Sequence, residues 1–261
     1  MSYCSIAVRI DERGIATLCL NRPDKHNAMN DELIAEVTAA ARSLDSDSKV
    51  RAVVLTGAGE SFCAGGDLKW MQGMAAATRS QRIAGSGQLA AMLRALNDLS
   101  KPLIGRINGA AYGGGTGMIS VCDIAIAADG ARFALTEIRL GLTPANIAPF
   151  VVARIGASNA RRCFLNALPL TAQKAKALKL VDEVVPAAEL DAAVEKEIAC
   201  VLQCAPGAIA ATKKLIFHVA SHDIDASQAY TARLLADTWE TPDGQEGIRC
   251  FFAKQTPSWS S

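Results

Sequence analysis

The stretch PLIGRINGAAYGGGTGMISVCDIAIAADGARFAL, residues 102–135, carries the pattern that decides the fold. Pro102–Ile107 is a short apolar run bounded by turn residues and reads as a buried strand. The glycine loop NGAAYGGGTG follows, then residues 118–122 as helix, then Asp123–Ala128 and Arg132–Leu135 as strands. The same order occurs upstream. Ala52–Thr56 is an apolar strand, GAGESFCAGGD (57–67) is its glycine loop, Trp70 and Met71 open an amphipathic helix, and a further helix is expected from about Ser80 to Leu99. Strands alternating with helices argue for a parallel sheet with crossover helices.

Further out, residues 4–10 and 15–20 read as a hairpin across Asp11–Gly14. Asn30 caps a helix whose apolar stripe is Leu33, Ile34, Val37, Ala40, Ala41 and Leu44. Beyond about residue 190 only helices are expected, at about 190–203, 207–220, 225–239 and 244–254, punctuated by Pro206, Asp223 and Pro242. The chain therefore reads as an α/β core over residues 1–190 and a helical region over 191–261, with no sequence repeat and no low-complexity linker.

Half of the 261 residues are hydrophobic and the formal net charge is +1, with acids and bases interleaved. A sizeable core is possible, and no basic patch argues for nucleic acid or a membrane surface as partner. The N-terminus lacks the basic and apolar regions of a signal peptide, and no apolar run reaches a membrane-spanning length of about 18 residues. Eight scattered cysteines without a CxxC spacing fit reduced thiols. A cytoplasmic protein is expected.

Each glycine loop follows a buried strand and leads into a helix. Free backbone N–H groups gather at helix N-termini, and two such loops can aim two donors at one oxygen, which is what an oxyanion hole requires. Glycine lets a ligand approach the backbone closely. Glycines alone are equally compatible with two tight turns. No Gly-Lys-Ser/Thr follows either loop, and neither carries GxGxxG in its usual place, so a nucleotide-phosphate cradle is disfavoured.

Five segments, NRPDKHNAMN (21–30), SFCAGGDLKWM (61–71), INGAAYGGGTG (107–117), CDIAIAADGARFALTEIRLGLTP (122–144) and EGIRCFFAK (246–254), together resemble the motifs of the enoyl-CoA hydratase/isomerase (crotonase) family in order and spacing. The resemblance covers nearly the whole chain. It implies a spiral of ββα units with a C-terminal helical trimerisation region, giving a homotrimer or a dimer of trimers. It implies that the Gly66 and Gly114 amides form an oxyanion hole for a thioester carbonyl. Coenzyme A, carried in as part of the substrate, would lie along Lys25–Ala28 and Ala64–Leu68, with Asp67 fixing the loop by hydrogen bonds. Phe251 and Lys254 resemble residues that reach coenzyme A, usually from a neighbouring subunit. No metal or redox cofactor is implied.

Family hydratases hold a water between two glutamates about twenty residues apart. The second matches Glu137; the first falls on Gly117, a departure that bears directly on the chemistry. Flanked by Leu135, Ile138 and Leu140, Glu137 should have a raised pKa and act as acid/base. The residue pattern alone also fits a surface glutamate paired with Arg139. A narrower resemblance, in GGDLKWM, Gly117 and FALTEIRLGLTPANIAPFVVARIG, is to bacterial 3-methylglutaconyl-CoA and isohexenylglutaconyl-CoA hydratases. It leads us to expect hydration of a branched enoyl-CoA, room for a β-substituent at Gly117, and Asn146 as one candidate for binding a substrate carboxylate. One glutamate also suffices for Δ3-Δ2-enoyl-CoA isomerisation, and a non-catalytic acyl-CoA binder is a third possibility.

Four other features are set aside. His218 and His222 have a metal-compatible spacing but no HExxH pattern or third ligand beyond Asp223. His26 lies in the coenzyme A segment and reads as structural. Cys63 reads as a buried, inert thiol. Arg161 and Arg162 follow a cap expected at Ser158 and read as a solvated helix face.

Overall fold

The computed structural model describes residues 3–260. β1 (Ile6–Ile10) and β2 (Ile15–Leu20) form the expected antiparallel hairpin, and β2 then pairs in parallel with β3 (Ala52–Gly57). β5 (Leu103–Ile107), β7 (Ile124–Ala128) and β10 (Glu183–Val185) continue the parallel arrangement, giving a six-stranded sheet in the order β1-β2-β3-β5-β7-β10. Successive residues of β3 divide between its two faces. Val53 and Leu55 join the larger core, while Ala52 and Val54 join a smaller one on the opposite side. A parallel strand covered on both faces must be apolar throughout, which is why AVVLTG shows no alternation.

α1 (Asp31–Ser46) covers the larger-core face. The Asn30 side chain accepts from the Leu33 amide at 3.0 Å and starts it, and all six expected stripe residues are buried. Leu33, Ile34, Val37 and Leu44 each contribute about 1.5–3 kcal/mol by leaving water. The smaller core is closed by α7 (Leu190–Leu202) through Leu190, Val194 and Ile198, so this helix is packed on the sheet. α8 (Pro206–Ser221), α9 (Ile224–Glu240) and α10 (Pro242–Ala253) follow, bounded at the expected Pro206, Asp223 and Pro242. No single described helix is long and apolar enough to cross a membrane.

Both glycine loops contain a short strand that their composition conceals. β4 (Ser61–Cys63), β6 (Ala110–Tyr112), β8 (Arg132–Ala134) and β9 (Leu170–Thr171) make a second sheet in the order β4-β6-β8-β9. The chain thus repeats one step three times: β3 to β4, β5 to β6, β7 to β8, from the large sheet to the small one and back. This is the spiral of ββα units that the resemblance implies. The repeat is one of structure only, since each step is filled by different residues.

Helical segments close each step. α2 (Leu68–Ala76) and α3 (Arg79–Asn97) follow β4, and α5 (Ala148–Asn166), which breaks at Gly156, follows β8. That break lies two residues before the cap expected at Ser158. α4 (Gly114–Ser120) begins four residues earlier than the sequence pattern indicates. Three glycines in its seven residues oppose helix formation by about 1 kcal/mol each. Burial of the whole segment overrides that propensity.

Candidate active site

Two chain segments are bound side by side at the small sheet. The Ala64 amide donates to His26 O at 2.9 Å, Met29 N to Gly65 O at 2.7 Å, and Asp67 N to Met29 O at 2.8 Å. These bonds lay residues 26–29 along residues 64–67. The Gly66 amide is left out of the ladder and has no acceptor among the described residues. Gly65 has φ +93°, and a Cβ there would stand 3.2 Å from Tyr112 O, so the first glycine loop lies directly on the second.

The second donor comes from the start of α4. Gly113, at φ 50°, gives its own amide to Ala134 O at 2.9 Å and turns the chain into the helix. Gly114 is then the first helical residue, and its N–H has no intrahelical partner. Met29 connects the two donors: it is bridged to Gly66, and its Cε occupies the space 2.0 Å from where a Gly114 Cβ would be.

Glu137 opens a short 3-10 turn (Glu137–Leu140) after β8. Its Oε1 lies 3.1 Å from the position of a Gly113 Cβ, so the carboxyl packs against the turn that presents Gly114. Its Oε2 is buried and has no hydrogen-bond partner. Burial pushes the carboxyl above its ordinary range, against a smaller opposing hydrogen bond from its own backbone. Arg139 turns away and donates to Ala167 O at 2.8 Å. The surface ion pair that the sequence left open is therefore not formed.

Lys25, Ala28, Ala64, Asp67 and Leu68, the five residues expected along coenzyme A, line one cleft of about 990 Å³ together with Gly66. Asp67 holds this wall. Its Oδ1 caps α2 through the amides of Lys69 (2.9 Å) and Trp70 (3.3 Å), and its Oδ2 pairs with Arg22 at 3.0 Å. Arg22 also donates to Ala28 O, tying the two segments together. Burial alone would raise the Asp67 carboxyl, but the hydrogen bond from Arg22 and those from the two amides hold it below its ordinary value of 3.8. A carboxyl whose folded pKa is lowered adds stability above its unfolded value and loses it as pH falls through the folded one. Arg22→Met should thus cost about 1–3 kcal/mol at neutral pH. Urea midpoints at pH 7 and pH 3 check this, the difference between wild type and variant shrinking at the lower pH.

Other residues fall elsewhere. Phe251 and Lys254 do not line this cleft of their own chain: Phe251 is 76 % exposed and packs edge-on against Phe252, and Lys254 ends α10 in a left-handed conformation. Asn146 lines another cleft, with Arg94 and Lys214. Gly117 opens no space for a β-substituent, because Ile147 Cγ2 sits 2.5 Å from where its Cβ would be. Cys63 is buried, which pushes its thiol up to about 12 and keeps it inert. His26 Nδ1 lies 3.0 Å from Ser61 Oγ, a structural contact. His218 and His222 stack at 4.0 Å and are absent from the one potential metal-ligand cluster among the described residues, Cys4, Glu32 and Glu36. Sequence reasoning missed Arg22, Met29, Gly113 and Ile147. All four lie inside the quoted segments, but nothing in their spacing announces a contact.

The family model described as enoyl-CoA hydratase/isomerase matches residues 11–261. The chain belongs to the enoyl-CoA hydratase/isomerase family. It is 32 % identical over 247 residues to the short-chain-enoyl-CoA hydratase of Clostridium acetobutylicum, covering 94 % of this chain and 93 % of that protein. The 2,3-dehydroadipyl-CoA hydratase of Escherichia coli is 32 % identical over 254 residues, covering 95 % and 96 %. The crystal structure of an enoyl-CoA hydratase from Shewanella pealeana superposes with a TM-score of 0.95 at 33 % identity, covering 98 % of this chain and 96 % of that one. The enoyl-CoA hydratase/isomerase family and its spiral fold, both expected from the glycine loops and the flanking motifs, are thereby borne out.

Proposed function

We propose that the chain is an enoyl-CoA hydratase in which Glu137 is the sole proton-transfer carboxylate and the Gly66 and Gly114 amides hold the thioester oxygen. The observation that carries this reading is the unpartnered, buried Glu137 Oε2 beside the glycine turn that presents Gly114. With the thioester carbonyl polarised by two N–H groups, water attacks Cβ as Glu137 takes its proton. The C=C electrons move toward the thioester, giving an enolate whose charge rests on the oxygen between the two amides. Glu137, now a carboxylic acid, returns the proton to Cα, and one water has been added across the double bond. The two amides polarise the carbonyl and make Cβ electrophilic, so the scheme calls for neither a metal nor a redox group.

The finer reading is a branched, glutaconyl-type substrate such as 3-methylglutaconyl-CoA or isohexenylglutaconyl-CoA. It is supported by the runs GGDLKWM (65–71) and FALTEIRLGLTPANIAPFVVARIG (133–156), while the space at Gly117 is taken by Ile147. The similarity to an enzyme named for dehydroadipyl-CoA, also a thioester with a second carboxylate, points the same way. We further infer a homotrimer or a dimer of trimers, in which the exposed Phe251 and Lys254 of one subunit reach the coenzyme A of another. A second reading, Δ3-Δ2-enoyl-CoA isomerisation, is favoured by Ile147 filling the space at Gly117, since one carboxylate can carry a proton between Cα and Cγ.

The test is turnover of crotonyl-CoA, 3-methylglutaconyl-CoA, isohexenylglutaconyl-CoA and a 3-enoyl-CoA in ¹⁸O-labelled water. The expected result is a labelled hydroxyacyl product, strongest for the glutaconyl esters. Double-bond migration without ¹⁸O uptake assigns the isomerase instead.

A further inference from the structure

The cap and first turn of α4 hold four glycines, Gly113, Gly114, Gly115 and Gly117, of which Gly115 lies against Cys63. A Cβ at Gly113 would meet Glu137, one at Gly114 would meet Met29, and one at Gly117 would meet Ile147. The Gly117 N to Gly113 O bond of 3.1 Å closes this turn, with Gly113 as its non-helical cap (φ 50°, ψ −116°). The Glu137 carboxyl and the Ile147 side chain therefore pack against the two ends of one turn, at Gly113 and Gly117. A thioester carbon chain that leaves the Gly114 amide along this turn runs toward Ile147, and its Cβ is three bonds from the carbonyl oxygen.

Ile147 is also well fixed. It is 2 % exposed, and its carbonyl accepts from Phe150 at 3.1 Å and Val151 at 3.0 Å as α5 begins. Leu93 Cδ1 closes the remaining side, 3.5 Å from the position of a Gly117 Cβ. Hydrocarbon thus fills the space over Gly117.

We propose that Ile147 is a specificity-determining residue that sets how much bulk the acyl chain carries at Cβ, with Gly117 as the gap its side chain fills. The proposal rests on the acyl-CoA reading of the site but not on which reaction follows. Shortening Ile147 removes wall atoms at Cβ and leaves the Gly66 and Gly114 amides and Glu137 in place.

The test measures calorimetric Kd values for butyryl-CoA and 3-methylbutyryl-CoA, which differ by one β-methyl group and do not turn over by hydration. It uses wild type, Ile147→Val and Ile147→Ala. The expected result is a shift of the Kd ratio toward the branched ester by fivefold or more in Ile147→Ala, and by a smaller factor in the same direction in Ile147→Val. A ratio within twofold of wild type in both variants overturns the proposal while leaving the acyl-CoA site intact. Failure of the wild type to bind either ester overturns the acyl-CoA reading and the proposal with it. Should Ile147→Ala fold poorly, the more conservative Ile147→Val decides alone, since a loss of packing weakens both esters but does not change their ratio.

Discussion

Glu137→Gln should lower kcat by about 100- to 10,000-fold while leaving KM for the enoyl-CoA within a few-fold, because the amide keeps the shape but cannot take a proton. The same substitution should make the protein more stable at neutral pH. Burial holds the folded-state pKa of Glu137 above its ordinary value of 4.5, so the ionised carboxylate opposes folding once pH exceeds that value. The advantage of the glutamine variant should grow as pH rises through the folded pKa and vanish below about pH 4, where both side chains are neutral. Steady-state kinetics and thermal melts across pH check the two halves. Retention of most activity would remove Glu137 from the chemistry, whatever the melts show.

The second large effect concerns the Gly114 donor. Proline at the first position of a helix is sterically suited to it and lacks the N–H. In a Met29→Ala background, which clears the overlap with Met29 Cε, Gly114→Pro should lose about 100- to 1,000-fold in kcat relative to Gly114→Ala. The two variants share the added Cβ and differ chiefly in the donor. Equal rates would mean that this amide does not hold the oxyanion. Circular dichroism of both variants separates that outcome from loss of α4.

The strands and helices that the sequence made legible are those with long uniform patterns: the buried run Ala52–Thr56, the stripe of α1, and the helices divided by Pro206, Asp223 and Pro242. The short strands β4, β6 and β9 were hidden, since two or three residues show no period and glycines nearby read as loop. α4 was placed four residues too far along because Gly114–Gly117 have poor helix propensity, and only packing from Met29, Cys63 and Ile147 makes them helical. At the site, Glu137, Gly66 and Gly114 could be picked out through their motifs. Arg22 and Ile147 could not, because their contacts are with residues 45 and 30 positions away in the chain.

With the roles proposed above, the spiral divides the chemistry by turn number. The first step supplies Gly66 shortly after β4, the second supplies Gly114 shortly after β6, and the third supplies Glu137 shortly after β8. In that reading, carbonyl activation is written into two layers of the stack and proton handling into the next. Such a scaffold can be reprogrammed one layer at a time: new residues after β8 would change what is done to the enolate while the means of making it is inherited unaltered.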